Sequence, residues 1–154
     1  MPNDFNSAPQ TDVTGFVSTD ATNRLTVMSF RGTESFRQAQ MDLAMQLIDT
    51  GICPGCSAST GFWQSWNESR PVVIAAIHKI QTEFPRNRIV ATGHSLGAAI
   101  AALAAAELRS HKVKVDLVSC WASGGTGDVS ILTKICIVRL RCSESWERKT
   151  GRLA

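Results

Sequence analysis

No block of lysines or arginines occurs in this chain, so it has no electrostatic footprint for nucleic acid. The net charge is only +3. The opening residues, MPNDFNSAPQTDV, hold neither a basic nor an apolar segment, so no signal peptide is expected in this stretch. No apolar run reaches transmembrane length; AAIAALAAAEL is short and opens directly from a turn, which suits a buried helix. Internal repeats and low-complexity segments are also missing. Histidine is scarce, with three residues, His78, His94 and His111, so few positions can supply an imidazole base.

What remains is enough for one domain. A length of 154 residues with 44% hydrophobic content builds a single core. The five cysteines, Cys53, Cys56, Cys120, Cys136 and Cys142, are odd in number, which leaves at least one thiol free. Cys53-Pro-Gly-Cys56 fits a redox motif, half of a zinc site or a local disulfide. No second Cys/His pair of comparable spacing lies near it for zinc. Its loop-like surroundings, DTGICPGCSAST, favour the disulfide, and with it an oxidising compartment.

The β-rich stretches TGFVSTD and NRLTVMSF flank a hairpin turn at Ala21-Thr22-Asn23, after a ragged start of thirteen residues. From Ser35 the stretch SFRQAQMDLAMQLID places Phe36, Met41, Met45 and Ile48 at helical spacing. A second helix is expected from about Ser69, with Pro71 in its first turn and Pro85 ending it. Val73, Ile77, Ile80 and Phe84 form its buried stripe, and His78 lies off that stripe. NRIVATG reads as a strand, Leu96 to Arg109 as a helix and VKVDLVSCW as a further strand. The order β-β-α-α-β-α-β implies an α/β fold with parallel crossovers and helices on the sheet.

The pentapeptide Gly93-His94-Ser95-Leu96-Gly97 stands between the third strand and its helix. G-x-S-x-G in that setting matches the nucleophile elbow. A strained turn projects the serine hydroxyl from the sheet edge, and side chains at the flanking positions would collide with the pinched backbone. The helix starting there offers unpaired N–H groups and a positive end to an oxyanion. A helix-capping serine would need neither glycine. An acyl-transfer site needs a second oxyanion donor from a loop after an earlier strand. Gly32-Thr33 follows the strand ending at Phe30, so the Thr33 N–H is the candidate to join that of Leu96.

Together TGFVSTDATNRLTVMSFRGTES, the Cys53/Cys56 pair followed by STGFWQSW, and RIVATGHSLGAAIAALAAAELR resemble the fungal class 3 lipases and their feruloyl esterase relatives. The resemblance covers about residues 12–118, in order and at family-like spacing, within a single partial domain of residues 1–154. It implies a partial α/β-hydrolase fold with a mostly parallel central sheet and flanking helices. It also implies a secreted carboxylic ester hydrolase, triacylglycerol-lipase-like, acting on a lipid or other ester at a lipid–water interface. Ser95 would be the nucleophile, Thr33 and Leu96 the oxyanion hole, Cys53–Cys56 the family's short disulfide, and Phe36 to about Met45 the lid. Neither residues nor resemblance implies a cofactor or a metal.

The acid and base are not found. The elbow fold orders its triad Ser, Asp/Glu, His. After Ser95 the one histidine is His111, at the end of the elbow's own helix and ahead of Asp116 and Asp128. His94 is next to the nucleophile, where consecutive side chains diverge. Cys120-Trp121-Ala122-Ser123 starts like the family, and residues from about 121 to 154 then depart from it. Two function classes therefore compete. One is a serine ester hydrolase. The other is a non-catalytic fragment or pseudo-enzyme that keeps the elbow as a lipid- or protein-binding module.

Overall fold

The computed structural model describes residues 3–6, 13–32 and 47–121. Among them are seven strands and two helices, in the order β1 (Asn3–Asn6), β2 (Thr14–Asp20), β3 (Leu25–Phe30), β4 (Leu47–Asp49), β5 (Ser57–Ser59), α1 (Thr60–Glu83), β6 (Arg88–His94), α2 (Leu96–Ser110) and β7 (Val115–Trp121). Five strands form one sheet in the order β1-β2-β3-β6-β7. Pairing is antiparallel from β1 to β3 and parallel from β3 through β6 to β7.

Alternation along the strands decides which face is covered. Val17, Met28, Phe30, Ile89 and Ala91 are buried and belong to one core with residues of α1 and α2. On the alternate positions Phe16 and Leu117 are exposed, while Val27 and Val90 are half-buried. α2 is buried almost all round, from Leu96 through Leu108. Its alanines suit that, because a helix without bulky side chains can lie close to the strands it crosses.

Four expectations need correction. The ragged start holds a strand, since β1 pairs with β2 from Asn3↔Val17 to Asn6↔Thr14. The helix expected over 35–49 does not reach its end: Leu47–Asp49 is strand β4, paired with β5. The Thr50 N–H donates to the Cys56 carbonyl and left-handed Gly51 and Gly55 turn the chain, so hairpin closure overrides local helical spacing. Residues 33–46, with Phe36 and the lid expectation, lie outside the described residues. The second helix begins at Thr60, so Pro71 sits inside it. Phe62, Trp66, Ser69 and Val73 extend the buried stripe toward the N-terminus, and that burial outweighs the lost Pro71 donor. Finally Phe84 is exposed rather than buried, closing the helix with its N–H on the Ile80 carbonyl.

At the hairpin turn Asp20 accepts hydrogen bonds from the Asn23 side chain and backbone. The side-chain bond, then the backbone bond, holds its carboxyl below the usual range.

One polar cluster joins the two helices. Glu107 on α2 is 3% exposed. It accepts the Trp66 indole N–H at 2.5 Å and pairs with Arg70. Trp66 also meets Phe30 edge to face, with ring centroids 6.2 Å apart. Removing the carboxylate leaves a buried indole donor unpaired, which costs about 1–3 kcal/mol. Arg70 is 40% exposed and rehydrates, so the full cost of a broken buried pair does not apply. Glu107→Ala is expected to lower stability by about 2 kcal/mol, read as a lower urea midpoint at unchanged slope. Glu107→Gln, which keeps an acceptor for the indole, should lose less; equal losses would assign the effect to charge.

Candidate active site

The parallel half of the sheet ends in a corner. β6 and β3 run side by side with Phe30 opposite Gly93, and β7 adds Cys120 beside Gly93. The chain leaves β6 at His94 and enters α2 at Leu96. Ser95 is the hinge between them, with φ 53° and ψ −117°. For a residue with a Cβ this is strained backbone, typically costing about 1–3 kcal/mol.

The neighbouring glycines hold that strain. A Cβ on Gly93 would overlap the Gly97 carbonyl, and one on Gly97 would overlap the Phe30 carbonyl. The first turn of α2 is thus pressed against the end of β3. Ser95 is half-buried, while Gly93 and Gly97 are buried. The Ser95 carbonyl accepts the Ala98 N–H at 3.0 Å, so the Leu96 and Gly97 N–H groups precede the first intrahelical donor. A helix N-terminus of this kind presents donors and a positive dipole end beside the serine hydroxyl.

The end of β3 comes to the same place. A Cβ on Gly32 would lie 2.6 Å from the His94 carbonyl oxygen and 3.3 Å from His94 Nδ1. The segment entering Thr33 therefore packs on the residue that precedes Ser95. Thr33 itself lies outside the described residues.

All three histidines of the chain are described, and none is set for Ser95. His78 is exposed on α1 and His94 is exposed beside Gly32. His111 is the C-cap of α2, about 24 Å along the helix axis from Ser95. Its Nε2 stands 3.8 Å from Glu107. Asp116 is engaged elsewhere, accepting the Ile89 N–H and pairing with Lys114. Asp128 lies outside the described residues. Among the described residues no group of His, Cys, Asp or Glu could hold a metal.

Cys53 and Cys56 are joined as a disulfide, with Cα atoms 5.2 Å apart. The bridge closes the turn between β4 and β5, away from the elbow in sequence. A shallow cleft lined by Ala21, Arg24, Phe84, Pro85, Arg86 and Asn87 lies where β6 begins, at the opposite end of the strand from Ser95. Sites in α/β sheets form at the carboxyl ends of the strands, so this cleft is separate from the corner at Ser95.

The profile of the family described as Lipase (class 3) matches residues 27–130. The chain belongs to the class 3 lipase family. It is 35% identical over 128 residues to the secreted mono- and diacylglycerol lipase A of Penicillium cyclopium, covering 83% of this chain and 42% of that protein. It is 33% identical over 108 residues to the secreted mono- and diacylglycerol lipase 1 of Fusarium solani, covering 70% and 32%. The crystal structure of the mono- and diacylglycerol lipase from Aspergillus oryzae shares the fold with a TM-score of 0.66 and 42% identity, over 71% of this chain and 41% of that one. The chain spans less than half the length of these relatives. Its architecture is a partial α/β-hydrolase fold.

Sequence reasoning located the strand–serine–helix corner of this member of the class 3 lipase family but missed the Trp66–Arg70–Glu107 cluster. Glu107 lies about forty residues from Trp66 and Arg70 in the chain. The available signal was a lone carboxylate in the alanine-rich run AAAELR.

Proposed function

We propose that this chain is the nucleophile-bearing part of a secreted carboxylic ester hydrolase, whose substrate is an acylglycerol presented at a lipid–water interface. The observation that carries the reading is the strained Ser95 at the β6–α2 corner, locked by Gly93 and Gly97. The acylglycerol substrate and secretion are taken from the relatives' names. In this mechanism Ser95 Oγ attacks the ester carbonyl and gives its proton to a base. The Leu96 N–H, joined by the Thr33 N–H that the family resemblance implies, holds the oxyanion of the tetrahedral intermediate. The intermediate expels the alcohol, leaving an acyl-Ser95 that water hydrolyses. Among the described residues no hydrogen bond joins Ser95 to His78, His94 or His111.

That last observation favours a second reading, a non-catalytic fragment or pseudo-enzyme that keeps the elbow as a lipid- or protein-binding module. A chimaera separates the two. Residues 1–121 are fused to the C-terminal remainder of the Penicillium cyclopium relative and assayed on mono- and diacylglycerol emulsions. Hydrolysis is expected to rise at least about 10³-fold over the 154-residue chain, and to vanish with Ser95→Ala. A folded chimaera with no Ser95-dependent turnover would leave the elbow a structural relic.

A further inference from the structure

Asn67-Glu68-Ser69 is an N-x-S sequence with a residue other than proline in the middle. It lies within α1, and the helix divides its parts. Asn67 is exposed, on the side opposite the stripe of Phe62, Trp66, Ser69 and Val73. Ser69 is 1% exposed, and its hydroxyl donates toward the Ser65 and Trp66 carbonyls at 3.2 and 3.1 Å.

We infer that Asn67 is an N-glycosylation site, and that its glycan is added before α1 packs onto the sheet. The inference rests on the proposed secretion, because the donor is a lipid-diphosphate-linked oligosaccharide of the secretory pathway. In the transfer the Asn67 side-chain nitrogen bonds to sugar C1 and loses one proton. The bond from C1 to the diphosphate oxygen breaks, and the lipid diphosphate leaves with the electron pair. Two features set the site and its timing. The Asn67 side chain points to solvent, so a bulky attached sugar displaces no core residue. The serine hydroxyl that completes the motif is sealed inside the folded helix pair, so the motif is readable only while the chain is unpacked. Pro71, two residues beyond, removes the N–H that would close a helical turn on the Asn67 carbonyl, which weakens the isolated helix at this position.

The test uses the full 154-residue chain behind a heterologous secretion leader in a eukaryotic host. Secreted and cell-retained pools are both analysed by peptide mass spectrometry, before and after peptide-N-glycosidase. A carbohydrate mass on the Asn67 peptide, removed by the enzyme with Asn67→Asp conversion and absent from Asn67→Gln, is the expected result. Leader-cleaved chain with unmodified Asn67 in both pools overturns the site. The leader is supplied, so that outcome leaves the secretion reading standing on its own. Timing is read separately: folded, unglycosylated chain from a bacterial host, incubated with detergent-permeabilised microsomal membranes, should remain unmodified, while the reduced and denatured chain is modified. Efficient modification of the folded chain would overturn the order of events.

Discussion

The 154-residue chain should hydrolyse a short-chain nitrophenyl ester at nearly the rate of its Ser95→Ala variant. In a serine hydrolase with a full triad, losing the nucleophile costs about 10⁶-fold in kcat, as measured for subtilisin. That gap exists because a base removes the hydroxyl proton during attack. Here His78 lies on the outer face of α1, His111 caps the far end of α2, and His94 stands by Gly32. None makes a hydrogen bond to Ser95, whereas a general base acts across a contact of roughly 2.6–3.2 Å. Oxyanion donors alone sustain about 10³–10⁴-fold over water when a triad member is lost, but that activity does not depend on the serine hydroxyl. Initial rates of the two proteins at several pH values should therefore agree within about tenfold. A Ser95-dependent rate several orders of magnitude higher, with a bell-shaped pH profile, would mean that one of these histidines or a second chain completes the site.

Gly97→Val should unfold the elbow and take much of the stability with it. The new Cβ would lie inside the van der Waals radius of the Phe30 carbonyl, which is sheet backbone and not a side chain that can swing aside. Relief requires α2 to lift away from β3, exposing part of a core that includes Leu96, Ile100 and Leu103. Overpacking a core costs about 1–3 kcal/mol and more where backbone must move, so the expected loss exceeds about 3 kcal/mol. Gly55→Ala is the contrast. Gly55 has φ 76° with open space around it, so only left-handed backbone strain applies, about 1–2 kcal/mol. Urea unfolding of both variants tests the ranking. If Gly97→Val unfolds no earlier than Gly55→Ala, the close α2–β3 contact is absent in solution.

How much of this was legible beforehand depends on the range of the interactions. The elbow could be read because its requirements are local: a strand, two glycines flanking a serine and a small-residue helix fall within twenty consecutive residues. The hairpin and the β6-α2-β7 unit were legible for the same reason, as their periodicities lie within single segments. The end of the helix expected over 35–49 was misread at Leu47–Asp49, because pairing with Ser57–Ser59 depends on a turn and a disulfide further along. The start of α1 was set too late, because Pro71 reads as a first-turn residue until Phe62 and Trp66 are seen to be buried.

By itself the sequence determined that a serine sits at a strand-to-helix corner, that glycines flank it, and that only three imidazoles exist in the chain. Those are matters of residue identity and of spacing over a few turns. Tertiary structure alone decided what the glycines press against and how the end of β3 meets the residue before Ser95. It also decided that no histidine makes a hydrogen bond to Ser95. These facts depend on separate segments meeting across the sheet, and such meetings follow from burying one shared core rather than from any local pattern.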